Sequence, residues 1–154
     1  MSRIDARLEE LGIRLPVPPA PVASYVPFVR AGSLLFVSGQ VTLVPEGLKH
    51  VGVVGGGLSL EEGKAAARLC AINAIAQLKT ACDGNLDRVK RIVKLTVFVN
   101  AAPGFTQHPE VANGASDLFV EVFGDNGKHA RSAVGAGSLP RNVATEVEVT
   151  AEIA

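Results

Sequence analysis

Tryptophan is absent from this sequence, tyrosine and methionine occur once each, and 15 basic residues are cancelled by 15 acidic ones. A nucleic-acid binder needs a basic stripe and, for single strands, aromatic faces on which bases can stack. Neither is available, which weighs against nucleic acid as the main partner. The sequence pI is near 6.8, so no broad field would gather phosphates. Long apolar runs are missing as well. Mean hydropathy is positive, yet Gly, Pro or a charge breaks each apolar run before the roughly 18–20 residues that a spanning helix needs. No membrane partner is expected. The N-terminus has no signal-peptide core: Arg3, Asp5, Arg7, Glu9 and Glu10 form the pattern of a charged amphipathic helix. The expectation is a cytoplasmic protein.

Cysteine is scarce. Cys70 and Cys82 stand twelve residues apart in one expected helix, about 18 Å along its axis at 1.5 Å per residue, too far to pair. Neither has a CxxC neighbour, and Cys70 in its alanine-rich run reads as a buried, inert thiol. Motifs for common chemistries are absent too. His50, His108 and His129 make no HxxxH or HxH pair with a carboxylate at metal-ligand spacing. Gly55-Gly56-Gly57 precedes a helix start, but Leu58 and Ala65 stand where a phosphate-binding loop needs Gly and Ser or Thr. Ser38 lies in Val-Ser-Gly-Gln, which is not the GxSxG elbow of a serine hydrolase. Neither a metal nor a cofactor is expected.

What is present is a clear order of elements across 154 residues, with 47% hydrophobic content, enough for the core of one domain spanning 1–154. A short helix over 2–12 ends at Gly12 and gives way to a Pro-rich lead-in that reaches Pro21. Tyr25–Val29 and Leu34–Val37 read as a hairpin, and Gly47–Gly57 as loop. Ser59-Leu60-Glu61-Glu62 is a capping box opening a helix that runs to about Ala81, with Leu69, Ile72, Ile75, Ala76 and Leu78 on its inward stripe. Ile92–Asn100 alternates Val93, Leu95, Val97 and Val99 with polar residues, as a strand with one buried face does. Phe98 interrupts the polar side, a hint that this face is covered by a helix or another subunit. Pro109–Phe123 reads as a second helix with Val111, Leu118, Val122 and Phe123 inward, ended by Gly124 and Gly127. Arg131–Ala136 and Thr145–Ile153 are read as a closing strand pair. The sum is an α+β fold with two main helices on one face of a mixed sheet.

By residue type alone, Arg131 is a solvated surface arginine and Glu146 one of three solvated carboxylates with Glu148 and Glu152. Their ordered companions reverse that reading. Tyr25, Leu-Phe-Val-Ser-Gly-Gln at 35–40, Val-Lys-Leu-Thr-Val-Phe-Val at 93–99, Ala-Arg-Ser-x-Val at 130–134, Leu-Pro at 139–140 and Glu-Val-Glu at 146–148 follow one another. This resembles the Rid/YjgF family, also labelled endoribonuclease L-PSP, from about residue 20 to the end. The resemblance implies a chorismate-mutase-like fold, a homotrimer with sites in the clefts between subunits, and hydrolysis of 2-imino acids to 2-keto acids and ammonia without a cofactor. It assigns Arg131 to grip the substrate carboxylate and Glu146 to orient or activate water. Tyr25, Ser38, Gly39, Asn113 and Ser132 are assigned to the substrate pocket; His129 receives no role. Ala133 replaces the family's usual cysteine, and the segment 100–113, the N-terminal helix and the glycine loop at 52–57 mark a divergent subgroup. Two alternatives stand beside this expectation: a small-carboxylate-binding trimer without turnover and, less favoured by the charge, an endoribonuclease.

Overall fold

The computed structural model describes residues Met1–Ala154. Its chain order is α1 (Arg3–Glu10), β1 (Phe28–Ala31), β2 (Leu34–Gln40), β3 (Leu43–Val44), β4 (Gly47–Leu48), α2 (Leu60–Ala81), β5 (Val89–Asn100), α3 (His108–Phe123), β6 (Ala130–Ala136) and β7 (Thr145–Ile153). Five strands form one sheet in the order β1-β2-β7-β5-β6, with β3 and β4 as a separate hairpin whose second strand opens the expected loop at Gly47. Only β5 and β6 run parallel; the other pairs are antiparallel.

The expected closing strand pair is a correction: β6 and β7 do not touch as partners, because β7 slots between β2 and β5 while β6 takes the far edge. The burial pattern gives the reason. Val147, Val149, Ala151 and Ile153 are covered along all of β7, as a central strand requires, whereas in β6 Gly135 is exposed even on the helix side, as suits an edge. The first strand is also shorter than expected. Tyr25 lies just after a turn at Ala23-Ser24, and pairing starts at Phe28, just beyond Pro27, which has no N–H for a ladder.

Period-two alternation sends Leu95, Val97 and Val99 of β5 and Val147, Val149 and Ala151 of β7 to the face covered by α2 and α3, building a core of 31 buried residues. Lys94, Thr96, Phe98, Glu146, Glu148 and Thr150 occupy the opposite face, which no element of the chain covers. The capping box at Ser59 and Glu62 is closed in both directions, at 3.1 and 2.7 Å. Along α2, however, the buried positions are mainly Gly63, Ala66, Ala67, Cys70, Ala71 and Ala74, joined by Ile75 and Leu78, while Leu69 and Ile72 are only half-buried. Small residues win these places because the two helices approach to backbone contact: a Cβ on Gly114 of α3 would overlap the Lys64 carbonyl oxygen. The N-terminal helix docks through Ile4 and Leu8, and Asp87 accepts hydrogen bonds from the Arg3 and Ile4 amides at its free end.

Both cysteines are buried and unpaired, and Cys82 is the residue that terminates α2. Burial pushes the Cys70 thiol up to about 12, with the Thr145 hydroxyl 3.3 Å from its sulfur, so it is an inert packing group. No helix is long and apolar enough to cross a membrane.

The Gly114 contact is directly testable. Alanine would favour the helix by about 1 kcal/mol, but overlap with backbone cannot be relieved by a rotamer change and costs about 1–3 kcal/mol or more. Gly114→Ala is therefore expected to lower the urea midpoint, while Gly57→Ala, which meets nothing within 4 Å, leaves it nearly unchanged. Equal midpoints for the two variants would show that the helices do not depend on this contact.

Candidate functional site

The polar groups collect at two places on the sheet. The first is a kink in β2. Val37 pairs with Val149 and Gln40 with Val147, so three steps on β2 match two on β7 and one extra residue must bulge at Ser38-Gly39. The Ser38 amide donates to the Pro27 carbonyl at 2.9 Å and its hydroxyl to the Val26 carbonyl at 3.0 Å, tying the Tyr25 segment to the bulge. Tyr25 itself is 63% exposed. The bulge lays Gly39 over Glu146: a Cβ there would stand 2.8 Å from the Glu146 carboxyl carbon, so only glycine permits the approach. Across β7, Glu146 is in register with Phe98. Half-buried between backbone and ring, its carboxyl is held above the usual carboxylate range, first by burial and then by the charge of Glu148. It makes no hydrogen bond within the chain, so its oxygens are free for water or a ligand.

The second place is the β6 edge. Arg131 is in register with Leu95, whose side chain faces the helices, so Arg131 also rises on the helix side and meets the flank of α3. Its Nη1 donates to Asn113 Oδ1 at 2.8 Å and to Ser116 Oγ at 3.2 Å. Those two bonds use both hydrogens of Nη1. Nε and Nη2 carry no bond within the chain, and together they form the parallel two-donor edge that matches a carboxylate. Ala133, two residues on, shares this face and packs against the core. Beyond it, Gly135 lies beside the His108 ring.

The sequence-assigned residues thus divide. Arg131 and Asn113 are joined directly, whereas Asn100, the other asparagine of the segment 100–113, is occupied elsewhere, its amide donating to the Gly52 and Val143 carbonyls and to Asn142 Oδ1. Glu146, Gly39 and Ser38 form the other group, with Tyr25 on the segment leading into it. Ser132 is in register with Thr96 and lies on the open face, away from its neighbour Arg131. Arg131 and Glu146 are not brought together within one chain. They sit on opposite faces, two strand spacings apart, about 10 Å, and about another 10 Å along the strands.

Two site residues escaped the sequence reading. Ser116 is one turn from Asn113 on α3, and His129 is two residues before Arg131, hence on its side of the strand path. That spacing was readable in principle, but its meaning depends on α3 overhanging the β6 edge. The three histidines and the carboxylates form no set of three that could hold a metal ion.

Comparison with known proteins places this geometry. The family model described as "YjgF/chorismate mutase-like, putative endoribonuclease" matches residues 5–153. Protein TCP17 of Trypanosoma cruzi is 49% identical over 153 residues, covering 99% of this chain and 95% of that one. The crystal structure of Atu1372 from Agrobacterium tumefaciens, a protein of unknown function, is 43% identical and superposes with a TM-score of 0.92, covering 98% of this chain and 92% of its own. A protein named 2-iminobutanoate/2-iminopropanoate deaminase from Dermatophagoides farinae is 24% identical over 136 residues, 88% of this chain and 91% of that one. With the family match spanning nearly the whole sequence and the expected α+β sheet beneath it, the chain belongs to the YjgF/chorismate-mutase-like family.

Proposed function

We propose that this protein hydrolyses 2-imino acids to 2-keto acids and ammonia, in clefts formed between copies of the chain in a homotrimer. The observation that carries the reading is the Arg131 guanidinium: Nη1 is fixed by Asn113 and Ser116 while the Nε–Nη2 edge is left open at the rim of the sheet. A fixed, permanently charged fork with one free edge matches the two oxygens of a small carboxylate. The similarity to a relative named as a deaminase points the same way.

The chemistry then needs water at the imine carbon. Glu146 of a second copy takes a proton from that water as its oxygen adds to C2, giving a carbinolamine. With the imine entering protonated, the carbinolamine nitrogen is a neutral amine, and the same carboxyl hands the proton to it. The carboxylate then takes the hydroxyl proton as the C=O bond forms and the C–N bond breaks, so that ammonia leaves, the keto acid remains and the last proton goes to ammonia as ammonium. Two copies are needed because Arg131 and Glu146 lie on opposite faces of one sheet. The uncovered face supports the assembly: Phe36 is 46% and Val134 43% exposed on it, beside half-buried Phe98. Ligand positioning and one acid–base group suffice for so reactive a substrate.

Coupled to a dehydratase that releases 2-iminobutanoate, the wild type is expected to speed keto-acid formation, and Arg131→Ala to lose most of kcat/KM. Arg131→Lys should not restore it, since an ammonium lacks the fork. No acceleration by the wild type, or full activity in Arg131→Ala, overturns the proposal; binding of 2-ketobutyrate without turnover favours the non-catalytic carboxylate-binding trimer.

Glu146 supplies a second test with opposite signs for activity and stability. Its raised folded-state pKa means that the folded chain binds this proton more tightly than the unfolded chain, so its contribution is fully present below the ordinary carboxyl value and is lost as pH rises through the folded value. Glu146→Gln should therefore raise the melting temperature at pH 7 while lowering kcat by about 10²–10⁴-fold. In the wild type, kcat/KM should fall on the acid side at a pH above the usual carboxylate range, and this limb should vanish in Glu146→Gln. An unchanged limb in the variant would assign the titration to another group.

A further inference from the structure

The sequence left His129 without a role, and the structure gives it a defined set of partners. Its Nδ1 lies 2.6 Å from the Gly127 carbonyl oxygen and its Nε2 2.9 Å from Ser116 Oγ. A carbonyl can only accept, so the proton sits on Nδ1. Burial, chiefly, and the charge of Arg131 hold the ring below the usual histidine range, although the Gly127 bond works in the other direction. A neutral ring with its proton on Nδ1 has a bare Nε2. The Ser116 hydroxyl therefore donates to Nε2, and its oxygen, with lone pairs left, accepts from Arg131 Nη1 at 3.2 Å. Every donor along this line runs one way: Arg131 to Ser116, Ser116 to His129, His129 to the Gly127 carbonyl.

We infer that His129 is a positioning residue for Arg131, acting through Ser116 to lock the guanidinium so that its Nε–Nη2 edge faces the carboxylate ligand. The ring is itself held in plane. Phe119 packs edge-on against it with centroids 6.2 Å apart, and a Cβ on Gly127 would overlap the Phe119 carbonyl oxygen, so the carbonyl that receives the His129 proton is fixed to α3. Asn113 alone would leave Nη1 held by a single bond, about which the guanidinium could swing. The second bond, polarised by the imidazole behind it, removes that freedom before the ligand arrives, and the ordering cost of binding falls accordingly.

The inference rests on the carboxylate-anchor reading of Arg131, and its test separates the two. In the first arm, calorimetry with 2-ketobutyrate should show a dissociation constant weaker by about tenfold in His129→Phe, which keeps a ring beside Phe119, and in Ser116→Ala, with no further loss in the double variant. Melting curves check that each variant is folded. The second arm uses no ligand. Nitrogen-15 spectra of the arginine side chains, with the Arg131 signal identified by its disappearance in Arg131→Lys, should show slow guanidinium rotation in the wild type. Rotation should be fast in His129→Phe and in Ser116→Ala. A packing role for His129 would not move that signature. If Arg131 rotates as slowly in both variants as in the wild type, the inference is wrong, whatever the ligand. If the rotation changes but no protein binds 2-ketobutyrate, His129 positions Arg131 as inferred and the carboxylate reading is what fails.

Discussion

A sheet sealed on one face only sets the terms for everything else in this protein. The two long helices bury one side of β2, β7 and β5 in a core of 31 residues, and no part of the chain returns to cover the other side. Because strand side chains alternate, each residue of β5, β6 and β7 is committed by its parity either to the core side or to the open face. The chemically useful groups sit where that rule leaves partial shelter: Arg131 where the flank of α3 overhangs an edge strand, and Glu146 where a bulge folds backbone over the open face. Neither place is dry, and neither is fully wet. Such half-buried positions let a charge keep its solvation in part while its orientation is fixed by neighbours.

The two groups are stabilised in contrasting ways. Arg131 is surrounded by acceptors, Asn113 Oδ1 and Ser116 Oγ, which compensate the removal of its guanidinium from water. Glu146 is surrounded by nothing of the kind. Gly39 presses backbone against it, Phe98 flanks it, and Glu148 adds a like charge nearby. The fold thus tolerates a carboxylate whose charged form is disfavoured by burial and by Glu148, in a chain whose stability comes from the core of 31 residues on the other side of the sheet. This is the usual relation between a strained functional group and the scaffold that over-determines it.

Much of this was legible in the sequence, for reasons that differ by element. The capping box at Ser59, the period-two pattern of β7 and of β5 from Leu95 onward, and the glycine stop of α3 are local signals that the structure keeps; Val93 departs, because a register shift between Ile92 and Lys94 buries Ile92 in its place. The position of β7 was not local. Its sequence says only that one face is buried, and whether its neighbour is β6 or β5 depends on which edges remain free. The inward stripe of α2 holds at Ile75, Ala76 and Leu78 and fails at Leu69 and Ile72 for a related cause: hydropathy favours those two, while close approach to α3 selects Gly63, Ala66, Ala67 and Ala71. At the site, the resemblance picked out Arg131, Glu146, Gly39 and Asn113, and the geometry supplies each with a specific neighbour. Ser132 lies on the other face from Arg131, because adjacency in sequence means opposite faces in a strand, and shares the open face with Glu146. Ser116 and His129 were invisible because a serine and a histidine acquire their roles only when a helix and an edge strand are brought side by side.

Ala133 draws these points together. On the helix-side face of β6, Arg131, Ala133 and Gly135 follow in order, so the side chains shrink away from the guanidinium and leave space beside its open edge. A carboxylate held by Nε and Nη2 would place its next carbon over that space. A methyl group there can neither donate nor accept a proton, and the imidazole nearest by sequence, His129, is turned toward Ser116 and Gly127 with both nitrogens engaged. Within a single chain the other imidazole on this face, His108, stands over Gly135, four residues along the strand from Arg131. On the proposed reading the proton traffic comes from outside the chain, and the free carboxyl of Glu146 on an uncovered, partly apolar face is the group suited to supply it. Assembly and chemistry are then one requirement, since the face that lacks a cover and the anchor complete each other only when two copies meet.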